Sequence, residues 1–235
     1  MTGKISEIIK NARKENRTFL LEPESKIIIQ ELKLATTDFK IATNENEAKK
    51  FAKKIGFPVV MKIISPQIVH KTDAGGVKLN LTSEVSVVTA YKEIMKNAFK
   101  YDSKAEIRGV LIEKMVKPST EIIIGVTRDP TFGPAIMFGL GGIFVELLKD
   151  VSFRIAPLEK KDAKQMIQEI KALPMLQGFR GGPNVNLALI EDALLKISEF
   201  VVEYIDDVLE IDLNPIFAYD DKILTVDARI ILTEK

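Results

Sequence analysis

Two stretches of this sequence hold residue types and spacings that can do chemistry. The first is 58–81, PVVMKIISPQIVHKTDAGGVKLNL. An apolar run with a single lysine, Lys62, breaks at Ser65-Pro66. It then passes the one histidine of the chain, His70, and Lys71-Thr72-Asp73, turns at Gly75-Gly76, and resumes with alternating Val77, Leu79 and Leu81. The pattern is strand, polar loop, strand. Lysine supplies a point charge to phosphate, imidazole is a competent nucleophile near neutral pH, and glycines let backbone N–H groups come close to an anion. The stretch therefore fits phosphate handling. An ordinary hairpin turn beside a surface histidine has the same local pattern.

The second stretch is 208–232, VLEIDLNPIFAYDDKILTVDARIIL. Asp212 and Asn214 lie two apart on one expected strand and share a face. A turn at Asp220-Asp221 brings Asp227 on the returning strand opposite Asn214. Cross-strand neighbours are about 5 Å apart, a spacing that suits two oxygen donors on one divalent cation. Mg²⁺ would complete its octahedron there with water and phosphate oxygens. A solvated polar face on a surface hairpin gives the same pattern. Between the two stretches, Glu113 and Glu121 flank an expected crossing between lobes. One carboxylate could accept from an adenine amino group and the other from ribose hydroxyls.

Composition narrows the chemistry. The 235 residues are enough for one large domain or two small lobes with a substantial core. The absence of cysteine removes disulfides, thiolate catalysis and thiolate metal sites, and a single histidine excludes a multi-histidine metal centre within the chain. A net charge of +1 gives no electrostatic case for nucleic acid or a membrane surface. No apolar run approaches the roughly 20 residues needed to span a bilayer, and the first residues carry no apolar signal core. A cytoplasmic location is the expectation.

The elements that must position these residues follow from periodicity. Helices are expected over 5–12 and 24–35, a strand over 39–42, a helix capped by Asn44 and stopped by Gly56, then the strand–loop–strand, then a helix over 84–101 capped by Ser83. A strand over 110–113 is expected to cross between lobes. Strands over 121–128, 134–140 and 151–155 follow, interrupted by the glycine-rich 139–142. Next come a helix over 160–173 ended by Pro174, a second glycine-rich loop over 177–183, a long helix over 184–204, and a closing antiparallel hairpin.

This order resembles the ATP-grasp superfamily, an α+β fold of two α+β lobes with the nucleotide between them. GFPVVMKI, HKTDAGGV, GVLIEKM, FGLGGIFVE, QGFRG and EIDLNP together resemble the ATP-grasp or beta subunit of the nucleoside-diphosphate-forming acyl-CoA synthetases, whose archaeal members act on acetate and other acids. The resemblance runs from about residue 10 to 230. It implies an N-terminal helical segment over 1–22 packed on the C-terminal lobe, an N-terminal lobe over 23–109 and a C-terminal lobe over 110–235. By the same resemblance Lys62 binds nucleotide phosphates with the Gly75-Gly76 loop, Glu113 and the backbone of Val116 hold adenine, Glu121 holds ribose, and Asn214 and Asp227 hold Mg²⁺.

His70 resembles the second phosphohistidine of the family. Asp212 stands where relatives face the partner's phosphohistidine with a carboxylate, and it is shorter than the Glu of succinyl-CoA synthetases. The implied cofactors are ATP/ADP and Mg²⁺, and the implied partner is a CoA-binding alpha subunit in an α₂β₂ heterotetramer. The implied reaction is acyl-CoA + ADP + phosphate ⇌ acid + CoA + ATP. Arg154 and Arg180 are further candidate phosphate contacts. A stand-alone carboxylate–amine ligase and a nucleotide-sensing regulatory subunit are the alternatives.

Overall fold

In the computed structural model, which describes residues 2–234, the apolar stripes of the sequence collect into two separate hydrophobic cores. The chain opens with α1 (Thr2–Lys14) and α2 (Glu22–Glu31). Ile5, Ile9 and Ala12 recur along one face of α1, and Ile28 and Ile29 lie together on α2. All five are buried in the larger core.

Thr37–Lys117 folds as a smaller unit. Its elements are β1 (Phe39–Ala42), α3 (Glu45–Ile55), β2 (Val59–Ile64), β3 (Val77–Leu81), α4 (Glu84–Tyr101) and β4 (Gly109–Lys114). The strands form an antiparallel sheet in the order β1-β4-β2-β3. Asn44 caps α3 by accepting from the Glu47 amide at 2.9 Å, and Ser83 caps α4 by accepting from the Ser86 amide at 3.1 Å. Ala48, Ala52, Val87, Ala90 and Ile94 on the two helices share a core with Val59, Met61 and Ile63 of β2. Strand alternation therefore turns Lys62 to the opposite face of the sheet.

The residues up to Thr36 and from Pro118 onward make the larger unit. After α1 and α2 it contains β5 (Thr120–Asp129), β6 (Gly133–Leu140), α5 (Ile143–Glu146), β7 (Val151–Ile155), α6 (Lys160–Glu169), α7 (Leu173–Leu176), α8 (Leu187–Glu203), β8 (Val208–Ala218), β9 (Ile223–Thr225) and β10 (Arg229–Leu232). The antiparallel sheet runs β10-β8-β5-β6-β7, with β9 also paired to β8. Ala163 and Met166 of α6 and Ile190, Leu194 and Ile197 of α8 are buried with Val126, Ile136, Phe138, Ile211 and Leu213 of the sheet.

Three sequence expectations are corrected. The strand expected to cross between lobes is β4, and both its edges are hydrogen-bonded inside the smaller sheet, to β1 and β2. The chain changes units at Thr36/Thr37 and Lys117/Pro118 instead, so the lobe boundaries at 22/23 and 109/110 move. Helix α2 goes with the larger unit because Ile28 and Ile29 are fully buried there. Pro174 does not end a helix but sits in the first turn of α7, where a missing N–H costs nothing. Helix α6 stops earlier because the Asp150 carboxylate accepts from the amides of Lys171 at 2.8 Å and Ala172 at 2.7 Å, diverting them from a continuing helix.

Candidate functional site

Strand β2 is buried along its whole length, Lys62 included. The Lys62 ammonium lies 2.8 Å from Oε1 of Glu113, whose side chain is 1% exposed. The other carboxylate oxygen accepts from the Thr37 hydroxyl at 2.9 Å. Strand register explains the meeting. Val60 and Phe39 both pair with Glu113, so Lys62 and Thr37, each two residues along from them, share its face. Sequence reasoning placed Glu113 with adenine and missed its pairing with Lys62. The parity of the two strands carried that signal once β4 was recognised as the neighbour of β2. Nothing local in the sequence pointed to Thr37.

The loop between β2 and β3 presents His70 to solvent. Ile68 and Ala74 anchor its two sides, at 1% and 6% exposure, and His70 is exposed between them. The two glycines act differently from expectation. The Gly75 amide donates to the Thr72 carbonyl at 2.9 Å and the Gly76 amide to the Lys71 carbonyl at 2.7 Å, so both N–H groups close the loop on itself. Gly75 has φ +61° beside Asn97, and a Cβ on Gly76 would stand 2.5 Å from Cγ2 of Ile63. These glycines shape and anchor the loop.

The larger unit carries the acidic residues. β9 pairs with β8 at Ile216↔Thr225 and β10 pairs with it at Arg229↔Asp212, in the register expected for the hairpin. The returning strand leaves the ladder between Thr225 and Arg229, so Asp227 lies in a break and not on a continuous strand. The break faces Asn214-Pro215, where the Val226 amide bonds the Pro215 carbonyl at 3.0 Å, and the β5 pairing also shifts there, between Ile122 and Ile124. A proline cannot donate to a ladder, which is why pairing is interrupted at this point.

Asn214 is exposed and Asp227 half-buried, with one Asp227 oxygen accepting from the Ala228 amide at 2.9 Å. Burial pushes the Asp212 carboxyl above its ordinary value, and the neighbouring charges of Glu210 and Asp227 push the same way against Arg229. A depression of about 250 Å³ beside Asp212 is lined by Glu210, Gly125, Thr127, Met137 and Phe153. Mutually repelling carboxylates next to an amide oxygen are a donor set that fits a hard divalent cation. Among the described residues no group of three or more His, Asp or Glu gathers as a metal cluster. Asn214 and Asp227 lie opposite one another in the hairpin register, the two oxygen donors expected from the sequence.

Glu121, at the start of β5, is exposed, and its side chain lies against Gly141 and Gly142 of the GLGG turn. Its carbonyl accepts from the Gly141 amide at 2.8 Å. Val116 is half-buried in the connection that leaves β4. Arg154 is held by both oxygens of Glu169 on α6, one contact measuring 2.9 Å, which ties it to a surface helix. Arg180 is exposed and its guanidinium stands 5.3 Å from the ring centroid of Phe179.

The family described as ATP-grasp domain matches residues 11–232. The beta subunit of acetate–CoA ligase (ADP-forming) I of Pyrococcus furiosus is 52% identical over 230 residues, 98% of each chain. A crystal structure from Pyrococcus horikoshii Ot3 is 47% identical, covers 100% of both chains and superposes with a TM-score of 0.96. The dinucleotide forming acetyl-coenzyme A synthetase 1 of Ca. Korarchaeum cryptofilum, in complex with coenzyme A and Ca-AMPCP, is 49% identical over 97% of this chain and 99% of its own, TM-score 0.93. In a second structure of that enzyme, with coenzyme A and Mg-AMPPCP, the phosphohistidine segment points towards the nucleotide binding site (46% identity, 97% of this chain and 100% of its own, TM-score 0.86).

Proposed function

Because this chain belongs to the ATP-grasp family, and within it to the beta subunits of the ADP-forming acetate–CoA ligases, we propose that it relays a phosphoryl group through His70 between a partner subunit and ADP. The overall reaction is acyl-CoA + ADP + phosphate ⇌ acid + CoA + ATP. Phosphate attacks the thioester carbonyl on a CoA-binding alpha subunit, the CoA thiol leaves, and an acyl phosphate forms. A histidine of that partner takes the phosphoryl group and releases the acid. His70 takes it next and passes it to the β-phosphate of ADP. We place the chain in an α₂β₂ heterotetramer and in the cytoplasm. Among the described residues no helix is long and apolar enough to cross a membrane.

The observation that carries this reading is the setting of His70. It is exposed at the tip of a loop whose base is anchored and which leaves directly from the strand of Lys62. A carrier must be reachable by two phosphoryl partners, and a neutral imidazole is a nucleophile at physiological pH. Lys62 supplies the phosphate charge clamp. Val116 backbone and Glu113 serve adenine, Glu121 serves ribose, and Asp212 faces the incoming phosphohistidine. The Glu113 carboxylate already accepts from Lys62 and Thr37, so adenine would have to share it. Asn214 and Asp227 would hold Mg²⁺, which neutralises phosphoryl charge when bound.

The test is labelling with γ-labelled ATP and Mg²⁺, with and without the alpha partner. A base-stable, acid-labile phosphate on the wild type that is absent from His70→Ala is the expected result. Nucleotide binding without any label would remove the carrier role and favour an amine ligase or a sensor.

A further inference from the structure

We propose that Thr37 is a positioning residue for nucleotide binding, its hydroxyl fixing the Glu113 carboxylate that in turn holds the Lys62 ammonium. The inference rests on the reading that Lys62 contacts nucleotide phosphates. Lysine carries its charge on a flexible four-carbon stem, so its aim is set by what the ammonium meets. Here it meets Glu113 Oε1 at 2.8 Å. A glutamate carboxylate is itself free to rotate about its last torsion, whose preference is broad. The Thr37 hydroxyl, donating to Oε2 at 2.9 Å, removes that freedom. Thr37 is 2% exposed, which makes this a buried, charge-assisted hydrogen bond.

The backbone that presents Thr37 is also fixed. Its neighbour Thr36 accepts a hydrogen bond from Gln30 Nε2 at 2.7 Å, and the Ala35 carbonyl accepts from the Thr225 amide at 2.9 Å. Two residues of preceding chain are thus tied into the larger unit before Thr37 enters the smaller one. The relay from hydroxyl to carboxylate to ammonium, all within the smaller unit, has a defined geometry at each step.

Thr37→Val keeps the side-chain shape and removes the donor. The full chain should bind ADP about tenfold more weakly, the scale of one lost buried hydrogen bond. In the complex with its partner, the KM for ADP should rise by a similar factor while the KM for CoA stays as in wild type. Thr37→Ser should restore ADP binding to within about twofold. A merely structural role would lower the melting temperature without splitting the two KM values. Thr37→Ala carries the same expectation should the valine variant fail to fold. ADP binding by Thr37→Val or Thr37→Ala equal to wild type, with Lys62→Ala losing it, would overturn the positioning role alone. ADP binding unchanged in Lys62→Ala would overturn the nucleotide reading of Lys62 and the inference with it.

Discussion

Lys62 and Glu113 place two opposite charges where little water reaches them, at 8% and 1% side-chain exposure. Such a pair contributes little net stability, because desolvation offsets the attraction, yet breaking it is expensive. Glu113→Ala should therefore destabilise the protein by about 3–5 kcal/mol in urea unfolding, since it takes a buried carboxylate away from a buried ammonium. Replacing both partners with apolar residues, Lys62→Met with Glu113→Leu, should recover most of that loss while abolishing nucleotide binding. If the double replacement were as unstable as Glu113→Ala, the pair would be a structural bond and its functional reading would weaken. Lys62 and His70 stand out in the sequence because Lys62 is the one charge in an apolar run and His70 is the one histidine of the chain. Thr37 does not, because a threonine two residues before a short strand becomes informative only when three strands bring it to Glu113.

At the scale of elements, the loop that bears His70 is built on close packing. A Cβ on Gly76 would meet Ile63 Cγ2 at 2.5 Å and the Lys71 carbonyl oxygen at 3.1 Å. Gly76→Ala should cost roughly 1–3 kcal/mol through overpacking, whereas Thr72→Ala on the exposed side of the same loop should change stability by no more than about 0.5 kcal/mol. Equal stability of the two variants, measured by denaturant unfolding, would show that the loop base yields. The double glycine is visible in the sequence, but its purpose is not, because amides closing a loop and amides cradling an anion use the same residues. Helix α4 is legible to the residue, since Ser83 and the apolar period of 84–101 act locally. The strand order of the smaller sheet is not, because β4 joins β1 and β2 through contacts distant in sequence. The stop of α6 is equally hidden, as it depends on Asp150 reaching across to Lys171 and Ala172.

On the scale of the whole molecule, the residues assigned to one ligand are divided between two units that each have their own core, Lys62 in the smaller and Asn214 with Asp227 in the larger. The larger unit holds Glu210, Asp212 and Asp227 close enough for their charges to oppose ionisation of the half-buried Asp212. Without a cation this repulsion opposes ionisation of Asp212, so Asp227→Asn in the presence of a chelator should bring the Asp212 carboxyl back toward its ordinary value. With Mg²⁺ and ADP the two proteins should differ in stability. A ligand that binds only the folded protein stabilises it by RT ln(1 + [L]/Kd), about 2.7 kcal/mol at a hundredfold excess over Kd. Wild type should gain that amount and Asp227→Asn should gain much less. ADP with chelator should give only the part that Lys62 and the adenine contacts supply. Thermal unfolding of both proteins under these three conditions reads the result. Equal Mg-ADP shifts in wild type and Asp227→Asn would remove Asp227 from the metal pair. A loss of stability in the chelated variant would mean that Asp227 holds the break between β9 and β10 structurally, its bond to the Ala228 amide among its contacts.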